Sequence, residues 1–501
     1  MDTDISQAFD PFTYTHGRWL DRDHERRKAR ELHFDFDALL NLAVKCSPGA
    51  RQVLDCKKKE GGFNRVFMIL LDNGRTVVAR LPVQIAGPAT LTVSSEVATI
   101  ELVRDRTSVP VPRVLSWGSG TDNAVGAEYI IMDEVPGVLL KDVWNNMKAS
   151  QHIQCIRSLG ELSVQLWTLS FPSFGSLYFY TSSPSNAVRL DDTFSIGPLC
   201  APHHWDCGTK DKFNVNTFTS SPGPWHSLEA YLSGFISEAQ SSALANAKKQ
   251  WQQAITYSRS ACRDFRYRAE PLSHPDFHTR NIFVDPTDPT RITGIIDWQW
   301  AAIEPAFMLT AETPDIAQEL PHDGRPSGNA DANTNELSPQ AKIRADAKFC
   351  ADAWAIMSHI CSETRAAYLM DSTLNSFLAA GSNGWLKDPV TTRLILLELH
   401  QKWTELGLPG QSFYQPRGEE TEELERQSDT AKTSNGLQEH LSRLLGCDTD
   451  GWIPVEKWEE VLPIYREEYR RSVTAHTDEG GAGNEAKATR EADQIWPFDQ
   501  R

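Results

Sequence analysis

The stretch SHPDFHTRNIFVDPTDPTRITGIIDWQW, from Ser273 to Trp300, constrains this chain more than any other. NIFV and RITGII are short β-prone runs, and the DPTDPT between them is turn chemistry twice over, so the pattern predicts a small hairpin. Asp276 and Asn281 fall on the loop leading into that hairpin, and Asp297 lies just past its end. A hairpin brings its outer ends together, so the spacing predicts that the three polar side chains converge. Such a set suits phosphoryl transfer. One carboxylate would orient an incoming hydroxyl and accept its proton, while an amide oxygen and a second carboxylate would hold magnesium against nucleotide phosphates. Their oxygen ligands suit a hard ion.

Further candidates precede this segment in the order a nucleotide site requires. Gly61 and Gly62 stand at a strand turn where backbone amides can approach phosphates. Arg80, in VVARLP, is a cation on the following strand, and Glu96 on the next helix is placed to anchor it. EYIIMDE, with Met132, reads as the connector that hydrogen-bonds adenine. His-x-Asp-x-x-x-x-Asn spacing is met by His274, Asp276 and Asn281, with His274 expected as a structural hydrogen-bonding residue. Taken singly, each element has a plainer reading. Aspartates beside prolines serve turns, Glu96 suits a solvated helix face, and a glycine pair is a turn. The order of all of them together carries the nucleotide reading.

Patterning along the chain predicts the frame around these residues. Residues 31–48 suggest a buried helix. VFMILL and TVVARL, separated by DNG, give a hairpin signal, and a helix is expected from about Ser94 to Arg106, its first serines capping it. GAEYIIMDEVPG reads as a central strand. Residues 50–135 therefore suggest antiparallel strands with one helix packed on them. Residues 150–170, 226–254, 341–379 and 391–405 look helical, with a looped segment between the first two. Residues 318–340 and 413–436 read as polar insertions, and the last thirty residues as a largely disordered tail. The division expected is an N-terminal helical extension (1–49), a small lobe (50–135), a larger lobe (136–470) and a tail (471–501).

A net charge of −17 argues against non-specific attraction to nucleic acid or anionic lipid. No apolar run is long enough for a membrane span. Nine cysteines in 501 residues, with nothing to suggest secretion, are expected as reduced thiols. The N-terminus MDTDISQAFD is acidic and is neither a signal peptide nor an arginine-rich presequence. Oligomeric state is not legible.

The segments EGGFNRVFMILLDNGRTVVARLP, SSEVATIELVRDRTSVPVPRVLSW, GAEYIIMDEVPG and SHPDFHTRNIFV through IIDWQ resemble the fungal phosphotransferase enzyme family, relatives of aminoglycoside and choline kinases. The resemblance implies an α+β, bilobal protein-kinase-like fold with a small β-rich N-lobe and a larger helical C-lobe. It also implies ATP and Mg2+ as cofactors, a small-molecule phosphoryl acceptor and a mitochondrial association. Carried over residue by residue, Asp276 is the catalytic base, Asn281 and Asp297 are the magnesium ligands, and Arg80 contacts nucleotide phosphate while paired with Glu96. Arginine replaces the usual kinase lysine at position 80, as in choline-kinase-like relatives. The glycine turn is short, and Arg280 stands where relatives often have glycine.

Trp298 and Trp300, with Glu304, are candidates for an aromatic and acidic acceptor pocket suited to an amine, although alternating tryptophans after a strand are more often core. In CAPHHWDC, Cys200, His203, His204 and Cys207 are soft ligands, but four within eight residues is cramped for tetrahedral zinc. The rival to the enzyme is a catalytically silent kinase-like binding module. The thinned glycine turn, Arg80 and the long polar insertions favour it, and the survival of all three chemical residues opposes it.

Overall fold

The computed structural model describes residues 9–205, 222–234, 270–310, 313–318, 339–382, 389–408, 410–412, 414–480 and 485–498. Its first half is organised by a five-stranded antiparallel sheet, in the order Val53–Glu60, Asn64–Leu71, Thr76–Pro82, Tyr129–Asp133, Val114–Gly118. Strict alternation drives the second strand: Arg65, Phe67, Ile69 and Leu71 are buried, and the residues between them are half-buried. The DNG turn closes as expected, with Gly74 at φ 80° and its N–H donating to Leu71 O.

The Leu91–Arg106 helix packs against this sheet. It starts earlier than the serines suggested: Thr92 N–H and Oγ1 both bond to Pro88 O, and Ser94 and Ser95 are buried inside the helix. Enclosure on nearly all sides explains why its apolar period is faint in the sequence. The Phe36–Lys45 helix covers the sheet's other side, capped by Asp35 Oδ1 accepting from Ala38 N–H at 2.8 Å.

Past Gly137 the chain becomes mainly helical. The predicted hairpin forms from Ile282–Val284 and Ile292–Ile295, and Val138–Leu139 pairs on its outer side. The hairpin packs in one apolar core with helices Ala149–Trp167 and Pro339–Ile360, and helices Ser372–Ser382 and Pro389–Gln401 build a second. The segment expected as loop carries a small three-stranded sheet, Ser176–Phe179, Phe194–Gly197 and Val188–Arg189. Of the helix expected at 226–254, Leu228–Gly234 is present and residues 235–254 lie outside the described residues, as does most of the 318–340 insertion.

Two expectations near the C-terminus are corrected. Most of 413–436 belongs to a 28-residue helix, Gly418–Leu445, stopped by Gly446 in the left-handed conformation. Its polar residues are a solvated face, and Leu424, Leu441 and Leu445 are its buried side. The last thirty residues are not a disordered tail where described. The Trp458–Gly480 helix runs into them, the Glu485–Ile495 helix follows, and Trp496 and Phe498 are buried. The two chain ends meet here, because Gly17–Trp19 pairs antiparallel with Trp452–Pro454. Among the described residues no helix is long and apolar enough to cross a membrane.

Candidate active site

Convergence of the motif residues follows from the hairpin. Asn281 ends a short turn that leads into the Ile282–Val284 strand, and its carbonyl accepts Ile296 N–H at 2.9 Å. That bond sets Asp297 beside the loop holding Asp276. Asn281 Nδ2 donates to Asp276 Oδ2 at 2.7 Å and to Asp276 O at 2.9 Å. Both bonds leave from nitrogen, so the amide oxygen, the atom a hard cation takes, stays out of them. Asp297 sits at φ 67° and Trp300 at φ 70°, a left-handed backbone rare for residues other than glycine. Such conformations persist where surrounding structure enforces them, commonly at functional sites.

Arg80 links the sheet to this loop. Its Nη1 pairs with Glu96 Oε1, and its Nη2 lies 2.9 Å from Asp297 Oδ1. Arg80 and Glu96 are both buried. Burial pushes the Glu96 carboxyl up to about 7, against the pull of the Arg80 guanidinium, and the negative charge of Asp297 acts in the same upward direction. The expected ion pair is therefore present, and it also orients the candidate metal ligand.

His274 takes the structural role expected of it. Its Nε2 donates to Ile296 O at 2.9 Å, and its Nδ1 accepts Asp276 N–H at 3.1 Å. Burial lowers its pKa, which keeps the ring neutral. Arg280 faces Asp276: Nη2 to Oδ1 is 2.5 Å and Nε to Oδ2 is 3.2 Å, a two-pronged contact on the candidate base.

The glycine turn faces open space, since a Cβ on Gly62 would meet no atom within 4 Å. Gly61 N–H is taken by Asn64 O at 2.9 Å, so in this conformation that amide is engaged within the turn. The turn is tied to the loop after Asp297, with Phe63 edge-on to Trp300 at 4.7 Å and Asn64 Nδ2 donating to Gln299 Oε1 at 2.9 Å. Met132 lies inside the sheet opposite Val78 and Val114, so the connector proper begins beyond Asp133.

The acceptor-pocket trio does not assemble. Trp298 is wholly buried, its Nε1 bonded to Ile295 O. Trp300 Nε1 donates to Ala86 O at 2.7 Å, and Glu304 accepts from Tyr231 OH at 2.8 Å. Cys200 is buried beside Ser176 Oγ, while Cys207 and the side chain of His203 lie outside the described residues.

Sequence reasoning missed Asp315. Its carboxylate accepts Thr279 N–H at 3.0 Å and Thr279 Oγ1–H at 2.5 Å, fixing the loop between Asp276 and Asn281. It lies 34 residues past Asn281 in sequence, and TPDIAQ carries no motif beyond a proline that favours a turn.

The family model described as "phosphotransferase enzyme family" matches residues 58–308, half of the chain and every site residue above except Asp315. The chain belongs to the phosphotransferase enzyme family. Among its relatives, a subtelomeric hrmA-associated cluster protein of Aspergillus fumigatus is 29% identical over 298 residues, covering 50% of this chain and 58% of that one. The match thus spans little more than half of that relative. Altered inheritance of mitochondria protein 9, mitochondrial, of Yarrowia lipolytica is 22% identical, over 92% of this chain and 88% of its own. Of solved structures, the aminoglycoside phosphotransferase APH(4)-Ia is similar at 14% identity and a TM-score of 0.35, covering 72% of this chain and 97% of that one. The β-rich first half and helical second half form the α+β, bilobal kinase-like fold of this phosphotransferase family.

Proposed function

We propose that this family member transfers the γ-phosphoryl group of ATP to a hydroxyl of a small molecule. The observation that carries the reading is the arrangement of Asp276, Asn281 and Asp297 around one hairpin, with Asp297 held by the Arg80–Glu96 pair. Asp276 orients the acceptor hydroxyl and receives its proton. Asn281 Oδ1 and the Asp297 carboxylate are a hard-oxygen set that fits magnesium, and the ion, when bound, neutralises phosphate charge. Arg80 keeps Asp297 oriented and presents positive charge to the nucleotide. The open backbone at Gly62 admits phosphate, and the connector beyond Asp133 lies at the adenine end.

The test is calorimetry with Mg2+–ATP. Wild type should bind with magnesium and not without it, Asp297→Asn should weaken binding at least about tenfold, and Asp276→Asn should bind but not turn over. Absence of magnesium-dependent binding by well-folded protein would refute the enzyme. The second reading, a silent binding module, is favoured by one feature: Arg280 engages both oxygens of Asp276. Binding of Mg2+–ATP without turnover of any acceptor, even in Arg280→Gly, would favour that module. The mitochondrial name of the Yarrowia lipolytica relative, aligned along most of the chain, supports a mitochondrial location, testable by cell fractionation.

A further inference from the structure

Away from the nucleotide cleft, His152 on the Ala149–Trp167 helix faces Asp346 and Cys350, one turn apart on the Pro339–Ile360 helix. One ligand atom from each lies within 4.8 Å of the other two. The hydrogen bonding of His152 is what makes this cluster informative. Its Nε2 lies 2.8 Å from the Trp144 carbonyl, which can only accept, so Nε2 carries a hydrogen. In the neutral ring that leaves Nδ1 with a lone pair, yet Nδ1 lies 2.6 Å from Asp346 Oδ2, itself an acceptor. Two lone pairs at that separation repel unless a positive centre bonded to both, a proton or a cation, is present. Asp346 Oδ1 is buried and takes no hydrogen bond. The third member, Cys350, supplies a buried sulfur.

We propose that His152 Nδ1, the Asp346 carboxylate and Cys350 Sγ bind a zinc ion that clips the two helices together. Imidazole with thiolate selects zinc over magnesium or calcium, and mixed Cys, His and Asp sets are ordinary for it. The ring is already oriented as a ligand, because its other nitrogen donates to a backbone carbonyl, and the indole of Trp144 stacks on it at 4.0 Å. A fourth position falls to Asp346 Oδ1 or to water. The Asp346 side chain is 25% exposed and that of His152 7%, so the ion enters past the carboxylate. Binding displaces the thiol proton of Cys350 and any proton shared between His152 and Asp346. The clip bears on the other site at a distance: the Pro339–Ile360 helix packs against the Asp315–Ala317 turn, whose Asp315 holds Thr279.

The test uses the full chain stripped with a chelator and titrated with Zn2+ alone. One equivalent should bind and raise the melting temperature, and Co2+ in its place should give a thiolate-to-metal charge-transfer band. Cys350→Ser should remove that band and weaken binding at least about 100-fold. Asp297→Asn should keep both, which separates this site from the proposed magnesium ligands. Should Cys350→Ser fail to fold, the cobalt spectrum of the wild type decides alone. No bound zinc, a cobalt spectrum without the thiolate band, or zinc affinity unchanged in folded Cys350→Ser overturns the proposal. The pair would then be a structural hydrogen bond between the two helices with no metal role.

Discussion

Arg80 holds two carboxylates at once, Glu96 behind it and Asp297 in front, and its position sets the electrostatics of the site. Glu96, with an ordinary value of 4.5, is pushed up to about 7 chiefly by burial. Between those values the folded form keeps a proton that the unfolded chain has released. This contribution to stability is therefore complete below about pH 4.5 and is lost as pH rises through about 7. Glu96→Gln should flatten the pH dependence of the urea midpoint across that window; identical slopes in wild type and variant would contradict it. Asp315 has the opposite sign. Burial raises its pKa, but the adjacent His278 ring and hydrogen bonds from Thr279 outweigh that and hold it below its ordinary 3.8. Its contribution is present above about 3.8 and is lost as pH falls through the lower folded value. Asp315→Ala leaves the Thr279 donors without their acceptor, at a cost of about 1–3 kcal/mol in denaturant unfolding. Turnover should fall with it.

Elements differ in how plainly they could be read. The Asn64–Leu71 strand alternates strictly and the DNG turn is local chemistry, so both were legible. The Leu91–Arg106 helix was legible in existence but not in its start, because a helix enclosed on nearly all sides has little polar face to mark its period. For Gly418–Leu445 the reverse holds: apolar residues are too few to show a stripe, and the polar surface resembles an insertion. Glycines separate in the same manner. Gly137, at φ 113°, brings the chain against the hairpin, where an added Cβ would sit 2.3 Å from Val284 O. Gly137→Ala should cost about 3 kcal/mol, read as a shift in urea midpoint. Gly62→Ala meets open space and should stay within about 0.5 kcal/mol of wild type in stability. Its effect should fall on Mg2+–ATP affinity instead.

At the scale of the whole molecule, the two ends of the chain build one apolar unit, with Leu20 packed among Leu441, Ile453, Trp458, Tyr465, Trp496 and Phe498. The N-terminal segment is also fastened to the glycine hairpin. Arg30 Nε donates to Gly62 O at 3.0 Å, and Thr15 N–H to Glu60 Oε2 at 2.9 Å. Trp496→Ala should cost about 3–5 kcal/mol within this unit. Limited proteolysis should then cut both the first twenty residues and the last fifty faster, and protection of either end would contradict the shared core. The sequence by itself determined the sheet's alternation, the hairpin between Asn281 and Asp297, and the set of polar residues flanking it, because these depend on side-chain period and turn chemistry within a few residues. Tertiary structure alone decided that Asp315 fixes the Thr279 turn, that Arg280 covers Asp276, that Trp298 is core, and that the chain ends pair. Each of these joins residues through packing across the fold, and burial and partners distant in sequence leave no local pattern to read.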